Sequence, residues 1–238
     1  MQGHFDAIAS DSYVTFARPQ LEQFNASTTT DQVVAALFDV ALPQTLNFLQ
    51  QLSGVATTTR AFVDAVAGTG AVILDTRKTT PGHRLIEKYA VRCGGGQNHR
   101  VGLFDAVLVK DNHIALAAQS CIAERSLANL ARRLRRQHPQ TMIEIEVDTL
   151  SQLADLLTAA DPVDVILLDN MPPDELRQAV QMRDGATAGR KPQFEASGGI
   201  TLDTVRAIAE TGVERISVGA LTHSPRALDI SLDIELTL

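Results

Sequence analysis

Six short apolar runs, each closing on polar residues and separated by stretches of helical spacing, constrain the fold of this chain most. They occupy residues 71–75, 106–110, 142–146, 165–169, 194–197 and 215–219. Runs this short and this continuously apolar suit strands buried on both faces, as in parallel sheets. Helical patterns lie between them, for example at 153–157 and 205–209. The chain therefore reads as repeated βα units. Six units predict an α/β fold built as a partial, open β/α barrel of parallel strands. No G-x-G-x-x-G follows the first run and no phosphate-loop lysine motif occurs, so nucleotide-binding open sheets lack support. In a barrel, chemistry gathers on the loops past the C-terminal ends of the strands. The polar residues closing each run therefore predict a ring-shaped site.

Three regions follow from this pattern: an atypical segment 1–44, a barrel region 45–226 and a terminal strand over 227–238. Within the first, 25–31 reads as a loop before a cap and Val33, Val34, Leu37, Val40 and Leu42 as a short apolar helical face. Leu46, Phe48, Leu49, Leu52, Val55, Phe62, Val63 and Val66 fit a helix or helix pair interrupted near Gly54. Residues 229–238 alternate strictly, which predicts a half-buried strand. With 28 acidic and 21 basic residues the net charge is −7, a balance that argues against nucleic acid as a partner. No stretch reaches the ~18 apolar residues of a membrane span, and no secretory signal is visible, so a soluble cytoplasmic protein is expected. Cys93 and Cys121 read as ordinary reduced thiols.

Between residues 77 and 113 the balance reverses, with seven cations against three acids. A positive segment in an acidic chain focuses an anion site. Arg77, Lys78, Arg100 and Lys110 fall at strand ends or beside the glycine run 94–96, read as flexible, and are expected to bind anionic groups; the arginine fork suits carboxylates. Arg84, Lys88 and Arg92, spaced by four, read instead as a solvated helix face. The arginines of 132–136 read likewise as a solvated helix end. Glu146 and Asp169 end two later strands, where they would serve sugar hydroxyls or a magnesium ion. Ser197-Gly198-Gly199 and Val218-Gly219-Ala220 follow the last two strands. Paired turns there suit a phosphate, whose oxygens backbone N–H groups and a helix N-terminus can hold.

These motifs, in this order, resemble the quinolinate phosphoribosyltransferase family. The resemblance rests on Leu74-Asp75-Thr76-Arg77-Lys78-Thr79, the run Cys93 to Arg100, Lys110-Asp111-Asn112-His113, Glu144-Ile145-Glu146-Val147, Leu168-Asp169-Asn170, Ser197-Gly198-Gly199-Ile200 and Ile216 to Leu221. It covers residues 45–232. It implies conversion of quinolinate and phosphoribosyl pyrophosphate to nicotinate mononucleotide, pyrophosphate and carbon dioxide, with magnesium, by a homodimer. Thr76, Arg77, His99, Arg100 and Lys110 would bind quinolinate, and Lys78 would stand by the reacting ring. Lys78, Glu146 and Asp169 are the catalytic candidates, the two acids also serving ribose hydroxyls and the metal. The loops 197–199 and 218–220 would hold the 5′-phosphate. The resemblance stops at residue 44, so the family's N-terminal α/β domain is expected to be truncated or replaced. A glutamate–arginine pair of the family falls on Pro43-Gln44, and the missing arginine would be replaced only if Arg18 or Arg60 reaches the pocket. Two other readings are an impaired homologue that still binds phosphorylated ligands and a molybdenum-transport-associated relative of the same fold.

Overall fold

The computed structural model describes residues 42–113, 126–158, 163–186 and 190–232. Expectations for residues 1–41, Arg18 included, and for Cys121 lie outside them. Residues Ser53–Arg226 make one compact unit, and the described residues 42–52 and 227–232 belong to another. In the second, the Leu228 N–H donates to the Gln50 carbonyl and the Gln50 amide to the Ile230 carbonyl. The tail expected as a strand carries no strand pairing through Leu232; its remainder lies outside the described residues.

All six apolar runs form strands: β1 (Val72–Leu74), β2 (Val107–Val109), β3 (Ile143–Val147), β4 (Val165–Asp169), β5 (Gln193–Ser197) and β6 (Arg215–Ser217). Every pairing is parallel and the order is β1-β6-β5-β4-β3-β2. That is the cyclic order of a βα barrel opened between β1 and β2. The free edge of β1 is taken by the segment at Gln97, whose N–H donates to the Ile73 carbonyl while the Asp75 N–H donates to the Gln97 carbonyl. This pairing brings residues 98–100 beside the end of β1.

Helices α1 (Leu42–Ala65), α2 (Arg84–Cys93), α3 (Leu127–Gln137), α4 (Leu150–Leu157), α5 (Pro173–Gly185), α6 (Leu202–Ala209) and α7 (Ala220–His223) complete the described elements. Strand periodicity sends Ile143, Ile145, Ile166, Leu168, Phe194 and Ile216 into a buried apolar core. Each such side chain contributes about 1.5–3 kcal/mol by leaving water. Thr149 closes a capping box with Gln152 at α4, and Thr201 with Thr204 at α6, satisfying N–H groups that the first turn leaves open.

Of the two readings of residues 46–66, a helix or a helix pair, the structure has the single helix, of 24 residues with Gly54 buried. One expectation is corrected here. Of the glycines read as flexible, Gly94 and Gly96 are instead required by close approach of α1, and Gly95 has φ +90. A Cβ on Gly94 would stand 2.3 Å from the Ala56 carbonyl oxygen, and one on Gly96 2.7 Å from Thr59 Cγ2.

Candidate active site

The strand ends open onto a cavity of about 630 Å³. Of the residues expected to form the site, Thr76, Arg77, Lys78, His99, Arg100, Lys110, Asp169, Ser197, Gly198, Gly199, Gly219 and Ala220 line it. Glu146 is buried just behind, joined to Lys110 by an ion pair of 2.5 Å. Val218 does not line it: it is buried in the core and gives its N–H to the Leu74 carbonyl, so it offers a ligand no donor.

Arg77, Lys78, Arg100 and Lys110 are the arginines and lysines that line the cavity. Burial and the neighbouring Arg77 lower the pKa of Arg100, against the opposing pull of Glu144 and Asp105. Arg77 Nε is buried and has no hydrogen-bond partner. Arg100 Nη1 donates only to the Ala106 carbonyl, at 3.2 Å. An anion between the two would supply what both lack. Arg60, the candidate stand-in, is turned away to Asp64 at 2.5 Å on the exposed side of α1.

His99, expected to hold the substrate, lines the cavity and is itself held by buried groups behind it. Its Nδ1 accepts the Arg100 N–H at 2.8 Å, and Nε2 lies 3.1 Å from Glu144 and 3.3 Å from Glu195. Both glutamates are fully buried on the inner face of the sheet, and Glu195 also takes Arg215 Nε at 2.8 Å. Burial opposes charge on His99, yet the two carboxylates outweigh it and raise its pKa to about 9. Burial likewise raises Glu144, while His99 and Arg215 overcome the same burial and bring Glu195 below its ordinary value. The Arg100 N–H contact requires an unprotonated Nδ1 and so belongs to the neutral imidazole, whose one N–H is then on Nε2, facing both glutamates. Sequence reasoning missed this buried cluster because Glu144 and Glu195 lie inside runs counted as apolar. The signal was the Ile-Glu-Ile-Glu alternation of β3, which aims every second residue at the barrel interior.

Ligand oxygens of Glu146, Asp148 and the cavity-lining Asp169 lie within 4.8 Å of one another. Partial burial, then the neighbouring Glu146, raises the Asp169 carboxyl. Three hard oxygen donors suit a small divalent cation. Asp148, two residues beyond Glu146 and on the same side of the chain, was not anticipated. Asn170, at φ 53, donates from Nδ2 to Asp169 Oδ2 at 2.6 Å and packs under Gly198. His223, also unanticipated, lines the cavity and lies over Gly219.

The cations of α2 overturn another expectation. Lys88 is 2% exposed and Arg84 half-buried, whereas Arg92 is exposed and lies 5.6 Å over the Tyr89 ring. Their equal spacing concealed a division between an inward and an outward face. On α3, Arg135 meets Asp164 at 2.5 Å rather than standing free in solvent.

Residues 55–233 match the family model for the quinolinate phosphoribosyl transferase C-terminal domain. A nicotinate-nucleotide pyrophosphorylase [carboxylating] of Mycobacterium leprae is 49% identical over 191 residues, which cover 79% of this chain and 63% of that protein. A probable enzyme of the same name from Bacillus subtilis is 44% identical over 195 residues, 81% of this chain and 62% of its own. The solved nicotinate-nucleotide pyrophosphorylase of Francisella tularensis superposes with a TM-score of 0.69 at 41% identity, over 78% of this chain and 61% of that one. The chain thus spans about six-tenths of the length of these relatives.

Proposed function

The chain belongs to the quinolinate phosphoribosyl transferase family, and from that premise we propose that it makes nicotinate mononucleotide, pyrophosphate and carbon dioxide from quinolinate and phosphoribosyl pyrophosphate, in the de novo synthesis of NAD. The observation that carries this reading is the neighbouring pair Arg77 and Arg100, the first with a buried Nε that lacks a hydrogen-bond partner, lining one cavity with Asp169, whose carboxylate lies within 4.8 Å of Glu146 and Asp148. Two guanidinium groups suit a rigid dicarboxylate. The Ser197–Gly199 turn and Gly219–Ala220 supply a second anion site for the sugar phosphate.

In this reading the cations fix the ring so that its nitrogen faces the anomeric carbon of the sugar. Holding both reactants in place replaces an encounter in solution. The nitrogen lone pair forms the bond to that carbon as the carbon–oxygen bond to pyrophosphate breaks. The carboxylate beside the nitrogen then leaves as carbon dioxide, its bonding electrons stabilised by the cationic ring, and the vacated carbon takes up a proton. Lys78 makes no ion pair among the described residues and stands at the cavity beside Gly219, where its charge supports both steps. Glu146, Asp148 and Asp169 would hold the magnesium ion, which when bound stabilises charge on the departing pyrophosphate. His99 acts by holding Arg100 through its main-chain N–H.

Homodimeric assembly and residence in the cytoplasm belong to the same reading. An exposed Cys93 thiol suits a reducing compartment. No helix among the described residues is long and apolar enough to cross a membrane.

The test is calorimetry of the chain with quinolinate, alone and with phosphoribosyl pyrophosphate and magnesium, followed by an assay for nicotinate mononucleotide. Binding with turnover is the expected result. Binding of the sugar donor without quinolinate would instead favour a homologue that only holds phosphorylated ligands. Arg100→Ala is expected to weaken quinolinate by roughly 1.5–3 kcal/mol, the worth of a charged hydrogen bond, and to leave the sugar donor unaffected. Unchanged quinolinate affinity in that variant would remove Arg100 from its role.

A further inference from the structure

The cavity's two cation loops come from separate parts of the chain, and like charge drives them apart. Residues 75–80 carry Arg77 and Lys78; residues 98–101 carry His99 and Arg100. They are joined directly where Asp75 accepts the Asn98 amide and the His99 N–H, and a second time through one face of α2. Arg84 donates from Nε to Thr79 Oγ1 at 3.1 Å and from Nη2 to the Arg77 carbonyl at 3.3 Å, both in the first loop. Its Nη1 donates to the Val101 carbonyl of the second, at 3.4 Å. One turn on, Lys88 donates to Asp75 Oδ1 at 2.5 Å and to the His99 carbonyl at 2.9 Å, again one contact per loop. Between them Glu87 accepts the Thr80 N–H at 3.1 Å. Positions i, i+3 and i+4 share a helix face, so the three act as one surface.

We propose that this face of α2 is a positioning element, with Arg84 as its outer clamp, setting the separation of Arg77 and Arg100 and so the geometry of the dicarboxylate receptor. This rests on the reading of the cavity given above. Arg84 does not line the cavity and touches no reacting group. Its hydrogen-bond partners are two carbonyls and a hydroxyl, so nothing in the contact requires charge; what the contact requires is the planar fork, whose donors diverge at fixed angles. A lysine there would keep the charge and lose the bridge.

The variants Arg84→Met and Arg84→Lys test this, read by hydrogen exchange of the full chain and by calorimetry with quinolinate and with ribose 5-phosphate. Both are expected to speed exchange in 76–80 and 98–101 together while β5 stays protected. Both should weaken quinolinate roughly ten- to a hundredfold, the cost of misplacing a receptor group by about 1 Å. Ribose 5-phosphate affinity should stay within twofold. Full recovery by lysine would overturn the proposal, because charge alone would then suffice. So would exchange that quickens in one loop only, or quinolinate affinity that is unchanged in both variants. If the parent chain binds no quinolinate, the functional reading fails by itself; exchange that quickens in both loops then still upholds the clamp, and unchanged exchange overturns it.

Discussion

Replacing Lys88 with methionine is expected to cost about 3–5 kcal/mol of stability, read as a fall in the urea midpoint at unchanged slope. The lysine ammonium and the Asp75 carboxylate are almost wholly out of water, and their contact is 2.5 Å. Removing the cation leaves the carboxylate with the Asn98 amide and the His99 N–H, at 2.6 and 2.8 Å, but no opposite charge. A typical domain has only about 5–15 kcal/mol in total, so much of it would go. The pH dependence tests the cause. Burial already holds the Asp75 pKa above its ordinary value, although Lys88 and the hydrogen bonds pull it down. Without Lys88 it rises further, so the folded variant binds a proton more readily than the unfolded chain. Its stability then increases as pH falls, and the gap from the parent narrows in acid. Asp75→Asn on top of Lys88→Met should recover part of the loss. A loss below 1 kcal/mol, or a gap independent of pH, would show that the pair is not the cause.

Lys88 also marks where the sequence stops being legible. Spacing by four puts Arg84, Lys88 and Arg92 on neighbouring turns, and that spacing is the same for a solvated stripe and a buried polar bracket. Burial is decided by what α2 packs on: the end of β1 and the segment at Gln97 paired to its edge. That edge pairing is long-range, and no local pattern encodes it. The strands were legible for the opposite reason. Parallel strands are covered on both faces, so their apolarity is continuous and local. Where a strand faces the barrel interior the rule fails, because that interior can hold an ionic cluster whose members pair with one another. Glu144, Glu195 and Arg215 form one around His99. The site residues were legible as strand ends, and twelve of the fourteen expected line the cavity. Glu146 and Val218 sit behind it, since the side chain of one and the amide of the other are engaged within the protein. The glycines of 94–96 could be read as loop residues but not as a passage for α1, which only the packed structure shows.

The turn at Ser197-Gly198-Gly199 separates conformational cost from contact. Gly198→Ala is expected to lower stability by about 1–3 kcal/mol and to weaken ribose 5-phosphate at least tenfold, whereas Gly199→Ala should cost about 1–2 kcal/mol with a smaller change in affinity. Both glycines have positive φ, 97° and 59°, so each alanine bears backbone strain. Only at Gly198 is the space already filled: an added Cβ would stand 2.1 Å from Asn170 Oδ1 and 3.0 Å from the Asn170 main-chain nitrogen. Asn170 cannot yield freely, because its N–H donates to the Ser197 carbonyl at 2.8 Å and its side-chain amide holds Asp169. The alanine must therefore move the phosphate turn, the acidic strand end, or both. Displacement of Asn170 releases Asp169 Oδ2, so the change should reach magnesium binding as well as sugar-phosphate binding. Calorimetry with each ligand on both variants decides it. Equal losses for the two alanines would mean that strain alone governs the turn. A loss confined to ribose 5-phosphate in Gly198→Ala would mean that Asn170 does not couple the turn to the carboxylates. Loss of both ligands in that variant, with magnesium retained in Gly199→Ala, would make Asn170 the link between the phosphate turn and the carboxylates.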